Sequence, residues 1–189
     1  MRFGEPQTFR RARAIRAAFR QGRLIVYATE SCFGIGCDPR NQKALRRLLR
    51  LKSRPWHKGL LLIAADAAQL TPWIVTPTAA QAEKLTASWP GPNTWIIRAS
   101  PRVPHALKGR HAGIGVRVPA HRGAAALAHI VGSAVVSTSA NPAGLRPLKN
   151  YRAAQRRFGS NAFVIAGRIG ARKRPSTIRI LETGAVLRA

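Results

Sequence analysis

This sequence contains few acidic residues. Its 189 residues include six aspartates and glutamates against 33 lysines and arginines, which gives a formal net charge of +27. Arginine outnumbers lysine by 26 to 7. A compact fold with this much positive charge repels itself unless anions bind, so the composition favours a polyanionic partner such as RNA. The alternative, that individual arginine clusters are only solvated surface charge, stays open.

Cysteines and long apolar runs are also scarce. The two cysteines, Cys32 and Cys37, have a spacing that fits neither a disulfide framework nor a zinc site, so we interpret both as small buried thiols. No apolar run approaches the roughly 18 residues of a membrane span, and the N-terminus lacks the apolar stretch of a secretory signal. We therefore expect a soluble cytoplasmic protein with one domain over 1–189 and its core at about 8–188.

Motifs of the common hydrolases and phosphate-binding loops are absent. GxSxG, HExxH and GxxxxGK[ST] do not occur, and the five histidines show no ligand spacing. Glu30 and Asp38 are the only acids near the glycine-bearing segment CFGIGCDP, and Asp38 followed by Pro39 is more typical of a turn than of a metal ligand. We therefore predict no metal ligands among the side chains.

Apolar periodicity alternates along the chain between the helical and the extended pattern, which is typical of an α/β fold. Helices are predicted at 8–21, from the capping Asn41 to Pro55, and at 78–89, 121–131 and 152–158. Strands are predicted at 23–28, 60–65, 94–99, 113–119, 134–138 and 162–165, with a hairpin at 176–188. CFGIGCDP is expected to be a ligand-side loop and 101–111 a mobile loop. The predicted fold is a single-domain, twisted open mixed β-sheet flanked by helices.

Two short segments carry the residue types of a phosphate site. Lys52, Arg54 and Lys58 place three cations within seven residues beside a proline turn, and ammonium and guanidinium groups together suit phosphate oxygens. Ser139 and Asn141 lie in a small polar run directly after a buried strand, where open α/β sheets bind ligands. Surface charge would explain the first segment, and an ordinary turn or helix cap the second, so these readings stay open as well.

Six blocks in order resemble the YrdC/Sua5 family, and within it the short single-domain threonylcarbamoyl-AMP synthases: ATESCFGIGCDP, LKSRPWHKGLLLIA, SWPGPNTWII, GVRVP, VVSTSANPAG and RPSTIRI. The resemblance implies a YrdC-like fold with a concave basic cleft. It implies an enzyme that condenses L-threonine, bicarbonate or CO2, and ATP into threonylcarbamoyl-adenylate and releases pyrophosphate. Mg2+ would be carried by ATP, with no tightly bound cofactor. The product would feed the t6A modification of adenosine 37 in tRNAs reading ANN codons, through downstream t6A transfer proteins.

The resemblance also implies roles for particular residues. The family's nucleotide-site tetrad falls on Lys52, Arg54, Ser139 and Asn141, with Lys58 and Arg188 as further ATP-binding residues. The threonine site falls on Thr29, Arg117, Ser137 and Ser176, and the guanidinium of Arg117 suits the amino-acid carboxylate. The sequence departs from the family pattern at Ala28, where a proline is common, and at Ala143, where a serine is usual.

Two other functions compete with the synthase. One is a non-catalytic RNA-binding protein that uses the same concave basic surface. The other is the carbamoyl transfer of the YrdC-like domain in hydrogenase maturation proteins, whose zinc-finger-like and acylphosphatase-like segments we do not find here. For the synthase itself we expect weak, salt-dependent binding of tRNA or other RNA by the basic surface, and no membrane contact.

Overall fold

The computed structural model describes residues 7–142 and 145–189. Its helices are α1 Gln7–Arg20, α2 Gln42–Leu51, α3 Ala79–Ser88, α4 His105–Lys108, α5 Arg122–Val131 and α6 Tyr151–Phe158, with short 3-10 helices at Trp56–Lys58 and Ala68–Trp73. Its strands are β1 Leu24–Ala28, β2 Phe33–Gly36, β3 Leu61–Ile63, β4 Asn93–Arg98, β5 Gly113–Arg117, β6 Val135–Ser139, β7 Ala162–Val164, β8 Thr177–Ile180 and β9 Val186–Arg188. Ala143, one of the two departures from the family pattern, lies outside the described residues. Within those residues, no helix combines the length and the apolar character needed to cross a membrane.

The strands of the described residues form one sheet in the order β7-β1-β2-β6-β3-β5-β4-β8-β9. Parallel pairs join β1 to β7, β3 to β5 and β4 to β8, and the remaining neighbours are antiparallel. The prediction of a mixed sheet flanked by helices is confirmed. One consequence is that β5 and β6, successive strands of the chain, flank β3 in opposite directions, so Arg117 and Ser139 lie towards opposite ends of β3.

Both faces of the sheet are covered, as β1 illustrates. Leu24 and Val26 belong to the cluster that includes the apolar side of α2. Ile25 and Tyr27 belong to a second cluster with α1 and α5. Because successive strand residues point to opposite faces, a strand that is buried on both sides has an uninterrupted apolar sequence.

The segment CFGIGCDP is not the loop that its glycines predict. Phe33–Gly36 is strand β2, paired antiparallel with β1 and with β6. The glycines allow neighbouring strands to approach closely: a methyl group added at Gly36 would lie 1.6 Å from the carbonyl oxygen of Val136. The connection that carries candidate ligand-binding residues is instead the short turn 29–32 between β1 and β2.

The segment 101–111 was expected to be a mobile loop, and this prediction is wrong as well. It contains α4, and the side chains of Val103 and Leu107 are buried in the core. The carbonyl of Leu107 accepts a hydrogen bond from the main-chain N–H of Leu60 at 2.7 Å. The buried side chains of Val103 and Leu107 hold the segment against the core, although it contains prolines and a glycine.

Replacing Gly36 with alanine is expected to lower the free energy of unfolding by about 3 kcal/mol, because a clash with a main-chain oxygen cannot be relieved by a side-chain rotation. Urea denaturation followed by circular dichroism measures the change. Gly167→Ala is the matched control, since its added methyl would meet its nearest neighbour at 3.4 Å, an ordinary contact. Equal stabilities for the two variants would contradict the close approach of β2 and β6.

Candidate active site

A cleft of about 830 Å3 lies over one face of the sheet and is lined by residues of several strands and of the segment after α2. It is bordered by the 29–32 turn, β5, β6 and the β8–β9 hairpin. Of the ten residues predicted for the site, seven line this cleft: Thr29, Arg54, Arg117, Ser137, Ser139, Ser176 and Arg188.

The end of α2 separates two neighbouring cations. Lys52 is the C-terminal cap, and Ser53 follows in the left-handed conformation, with φ of 48°. This conformation costs a non-glycine residue about 1 kcal/mol. Across the reversal, the main-chain N–H of Arg54 donates to the carbonyl of Leu49 at 3.0 Å. Lys52 is consequently buried, with 5% of its surface exposed, whereas Arg54 is half-buried and lines the cleft.

The ammonium group of Lys52 connects three members of the predicted tetrad. Its Nζ donates to the carbonyls of Ser139 and Asn141 at 2.5 and 2.6 Å. The same nitrogen lies 3.4 Å from both Ser139 Oγ and Asn141 Oδ1. Burial, and to a smaller degree the charge of Arg54, lower the pKa of Lys52 to about 8. A bound phosphate would favour the protonated form of this lysine.

Arg54, the fourth member, is positioned by the turn that follows it. Its Nε donates to the carbonyl of Gly59 at 2.9 Å, and Nη2 donates to that of Lys58 at 3.3 Å. Burial lowers the pKa of Arg54. At the far wall, burial and the neighbouring charge of Arg117 lower the pKa of Arg188, whose guanidinium donates to the carbonyl of Ser176 at 2.8 Å.

A buried ion pair lies at another part of the cleft. Arg117, at the end of β5, donates from Nη2 to Glu30 Oε2 at 2.9 Å. The other carboxylate oxygen, Glu30 Oε1, accepts from the main-chain N–H of His121 at 3.4 Å. Arg117 Nε is buried without a hydrogen-bond partner. Glu30 therefore orients a guanidinium that retains capacity to bind a carboxylate.

Two cleft hydroxyl groups are held by residues that sequence reasoning missed. The hydroxyl of Tyr27 donates to Ser137 Oγ at 2.7 Å, and burial raises the pKa of this tyrosine. Thr94 Oγ1 lies 2.9 Å from Ser176 Oγ. Tyr27 and Thr94 stand in strands with ordinary core composition, so the sequence offers no signal for these contacts.

Three further cations line the cleft and were not among the predicted site residues. They are Arg146, Lys149 and Lys173, and all three are exposed. In the sequence they were part of a general excess of basic residues. Only the fold separates them from the other arginines, by placing the segments around 146–149 and 173–176 on the same cleft.

Lys52, Lys58 and Asn141 are not among the lining residues. Lys58 is exposed, and it is the main-chain carbonyl of Lys58 that contacts Arg54. The amide Nδ2 of Asn141 donates to the carbonyls of Pro142 and Leu145. Lys52 and Asn141 instead contact Ser139, whose carbonyl accepts from Lys52 Nζ and, at 2.9 Å, from the main-chain N–H of Asn141.

The cysteines and acids differ in how well they match their predictions. Cys37 is buried, as expected, and burial raises its pKa to about 12. Cys32 is only half-buried and lines the cleft, so its reading as a buried thiol is wrong, because it lies in the 29–32 turn rather than in the core. Asp38 forms a turn, accepting from the main-chain N–H of Arg40 at 2.9 Å. In the described ranges, no three histidine, cysteine or acidic side chains cluster as a metal site.

Comparison with known proteins decides the family. The family model described as Sua5/YciO/YrdC, telomere recombination, matches residues 17–189. The chain belongs to the Sua5/YrdC family. Among its relatives, the threonylcarbamoyl-AMP synthase of Methylobacillus flagellatus is 49% identical over 178 residues, covering 94% of this chain and 99% of that protein. The resemblance seen in the six sequence blocks is confirmed, as is the prediction of an enzyme of the nucleotidyltransferase type.

Solved structures of Sua5/YrdC proteins share the fold. E. coli YciO superposes with a TM-score of 0.82 at 26% identity, covering 97% of this chain and 90% of that chain. P. abyssi Sua5 in complex with L-threonine superposes with a TM-score of 0.84 at 25% identity, covering 93% of this chain. The chain spans about half the length of that Sua5 protein, 53%.

The lowered pKa of Lys52 predicts a particular pH dependence of stability for this Sua5/YrdC protein. Below pH 8 the lysine is protonated in both states, so the folded state bears the full cost of burying the cation. Between pH 8 and the ordinary value of 10.5, the folded state releases its proton first, and this cost falls. Relative to Lys52→Met, the wild-type protein should therefore gain about 1–2 kcal/mol of stability between pH 7 and 9.5. Urea denaturation at both pH values tests this, and a pH-independent difference would contradict it.

Proposed function

We propose that the chain is a threonylcarbamoyl-AMP synthase, which joins L-threonine, bicarbonate or CO2, and ATP into threonylcarbamoyl-adenylate and releases pyrophosphate. One observation carries the proposal: a single cleft contains Arg54, backed by the buried ammonium of Lys52, together with the buried guanidinium of Arg117. The first two groups suit phosphate and the third suits a carboxylate. The name and high identity of the Methylobacillus flagellatus relative support the same reaction.

The nucleotide end of the cleft is assigned to the Lys52 side. Arg54 and Ser139 face the cleft and would contact phosphate oxygens, while Lys52 and Asn141 contact Ser139. A phosphate bound here would lie close to the Lys52 ammonium, which already donates to the carbonyls of Ser139 and Asn141. Lys58 and Arg188 are assigned secondary roles with ATP, Lys58 through the mobility of an exposed side chain and Arg188 as a lining residue.

The threonine end is assigned to the Arg117 side. The guanidinium of Arg117 would bind the amino-acid carboxylate, held in place by Glu30. Because Tyr27 donates to Ser137 Oγ, the proton of the Ser137 hydroxyl remains available for a substrate oxygen. Thr29 Oγ1 donates to the carbonyl of Cys32 at 2.7 Å, which leaves its lone pairs free to accept from the substrate. Ser176, bonded to Thr94, completes this end.

The proposed chemistry has two steps. The neutral amino group of threonine attacks bicarbonate or CO2, forming an N–C bond and a carbamate, with loss of water when bicarbonate reacts and release of a proton to solvent when CO2 reacts. A carbamate oxygen then attacks the α-phosphorus of ATP as the bond to the β-phosphate oxygen breaks and pyrophosphate leaves. Positive charge from Lys52 and Arg54 stabilises the negative charge that moves onto pyrophosphate.

Mg2+ is proposed to enter as part of the ATP substrate. Glu30 is the acid adjoining the cleft, and its carboxylate is engaged with Arg117. The donor set therefore suits an ion held by phosphate oxygens and water, which is the usual habit of Mg2+. We propose no tightly bound cofactor.

The product is an acyl-phosphate anhydride and needs an amine acceptor. We propose that it passes to downstream t6A transfer proteins and onto adenosine 37 of tRNAs reading ANN codons, in the cytoplasm. Three exposed cations at the cleft, Arg146, Lys149 and Lys173, support RNA contact there through phosphates. A non-catalytic RNA-binding protein would use the same charges without turning over ATP.

Omitting one substrate at a time separates these two functions. The purified protein is incubated with MgATP, threonine and bicarbonate, and pyrophosphate and the adenylate are measured. We expect both products only when all three substrates are present. RNA binding without pyrophosphate release in the complete mixture would favour the non-catalytic alternative.

Arg54→Ala is expected to lower turnover by about 100-fold or more, because one of the groups that stabilise charge on the leaving group is lost. The free energy of unfolding should fall by only about 1 kcal/mol, because the variant loses the hydrogen bonds that the Arg54 side chain donates. Steady-state pyrophosphate release and urea denaturation measure the two effects. The control is Arg157→Ala, an exposed arginine on α6 that should change neither. Full activity in Arg54→Ala would remove its proposed role.

A further inference from the structure

A second depression lies beside the cleft, on the outer side of α2. It has a volume of about 860 Å3 and is lined by Lys43, Arg46, Arg47, Leu49, Arg50, Ser53, Arg54, Pro55 and Trp56. We call it the α2 groove. Arg54 lines both the groove and the cleft, so the two depressions adjoin at its side chain.

The charged residues of the α2 groove are all basic. Lys43, Arg46, Arg47 and Arg50 are exposed and follow one another at the spacing of a single helix face, opposite the buried leucines of α2. None of them has an acidic partner within ion-pair distance in the part of the chain that the structure describes. Like charges three or four residues apart destabilise a helix, and a bound anion offsets this repulsion.

The length of this row matches a short stretch of nucleic acid. Lys43 and Arg50 are seven residues apart on α2, which corresponds to about 10 Å along the helix axis. The row is therefore long enough for its side chains to contact more than one phosphate of a single strand. Three of the four side chains are arginines, whose planar guanidinium suits phosphate oxygens.

An exposed aromatic ring completes the groove. Trp56 is 47% exposed, whereas Trp73 and Trp95 are buried and Trp89 is half-buried. The guanidinium of Arg110 lies 5.8 Å from the centre of the Trp56 ring, which fixes the indole by a cation–π contact. Bases of single-stranded nucleic acid stack on such rings beside a row of cations. A membrane surface is a weaker match, because the exposed apolar residues that line the groove are only Pro55 and Trp56.

We propose that the α2 groove binds single-stranded RNA, with phosphates on the cations of α2 and a base stacked on Trp56. The groove would hold an RNA strand next to the cleft without taking part in adenylate formation. The proposed function bears only on which RNA is the natural ligand. The binding of RNA by the groove is independent of it.

Oligouridylate of twelve nucleotides is the probe. Its binding should quench tryptophan fluorescence, and Trp56→Phe should lose most of this quenching. In titrations between 50 and 200 mM salt, Arg46→Ala/Arg47→Ala should weaken binding and reduce the slope of log K against log salt by about 1.4, since single strands contribute about 0.7 per phosphate contact. The matched control is Arg156→Ala/Arg157→Ala, an adjacent arginine pair on α6, where affinity should change far less.

Equal losses of affinity and slope in the two double variants would overturn the proposal, because the charge would then act as a diffuse field. Quenching that persists in Trp56→Phe would exclude stacking. Tighter binding to phosphatidylglycerol vesicles than to the oligonucleotide would assign the groove to membranes. Pyrophosphate release should be unchanged in the α2 double variant, so absence of synthase activity in the wild-type protein affects only the proposed function.

Discussion

Two main-chain carbonyls, those of Ser139 and Asn141, share the buried ammonium of Lys52 as a hydrogen-bond donor. This contact joins the end of α2 to the end of β6 across 87 residues of sequence. The carbonyls offset part of the cost of removing the ammonium from water, and the ammonium in turn satisfies hydrogen-bonding capacity of both oxygens. Arg54 and Ser139 thereby take fixed positions relative to each other.

Other polar groups that line the cleft are supported in a similar way. Tyr27 holds Ser137, Thr94 holds Ser176, and Glu30 holds Arg117. Each supporting residue fixes the direction of one polar group before a ligand arrives, which reduces the entropy lost on binding. In a chain with six acids, one carboxylate is used to orient an arginine inside the cleft rather than to neutralise surface charge.

The sequence predicted helices correctly where the apolar periodicity and a capping residue agree. Asn41 caps α2 as predicted, Thr78 at the start of the helix predicted over 78–89 caps α3, and the mixed sheet follows from alternating helices and strands. It was misleading at Gly34 and Gly36, because glycine marks both loops and strands under close backbone contact. Most site residues came from the family resemblance. The supporting contacts of Tyr27 and Thr94, and the burial of Lys52, depend on side-chain directions that no linear pattern encodes.

The walls of the cleft have a consequence for how the protein reaches its active form. They run from the 29–32 turn to Arg188 on β9, and β8 pairs with β4 across more than eighty residues, as Thr94 opposite Ile178 shows. Long-range pairings of this kind form late, since loop closure precedes the contacts that reward it. During synthesis on the ribosome, a nascent chain has no complete cleft until β9 emerges. The complete set of cleft side chains is therefore present only after the last strand has paired.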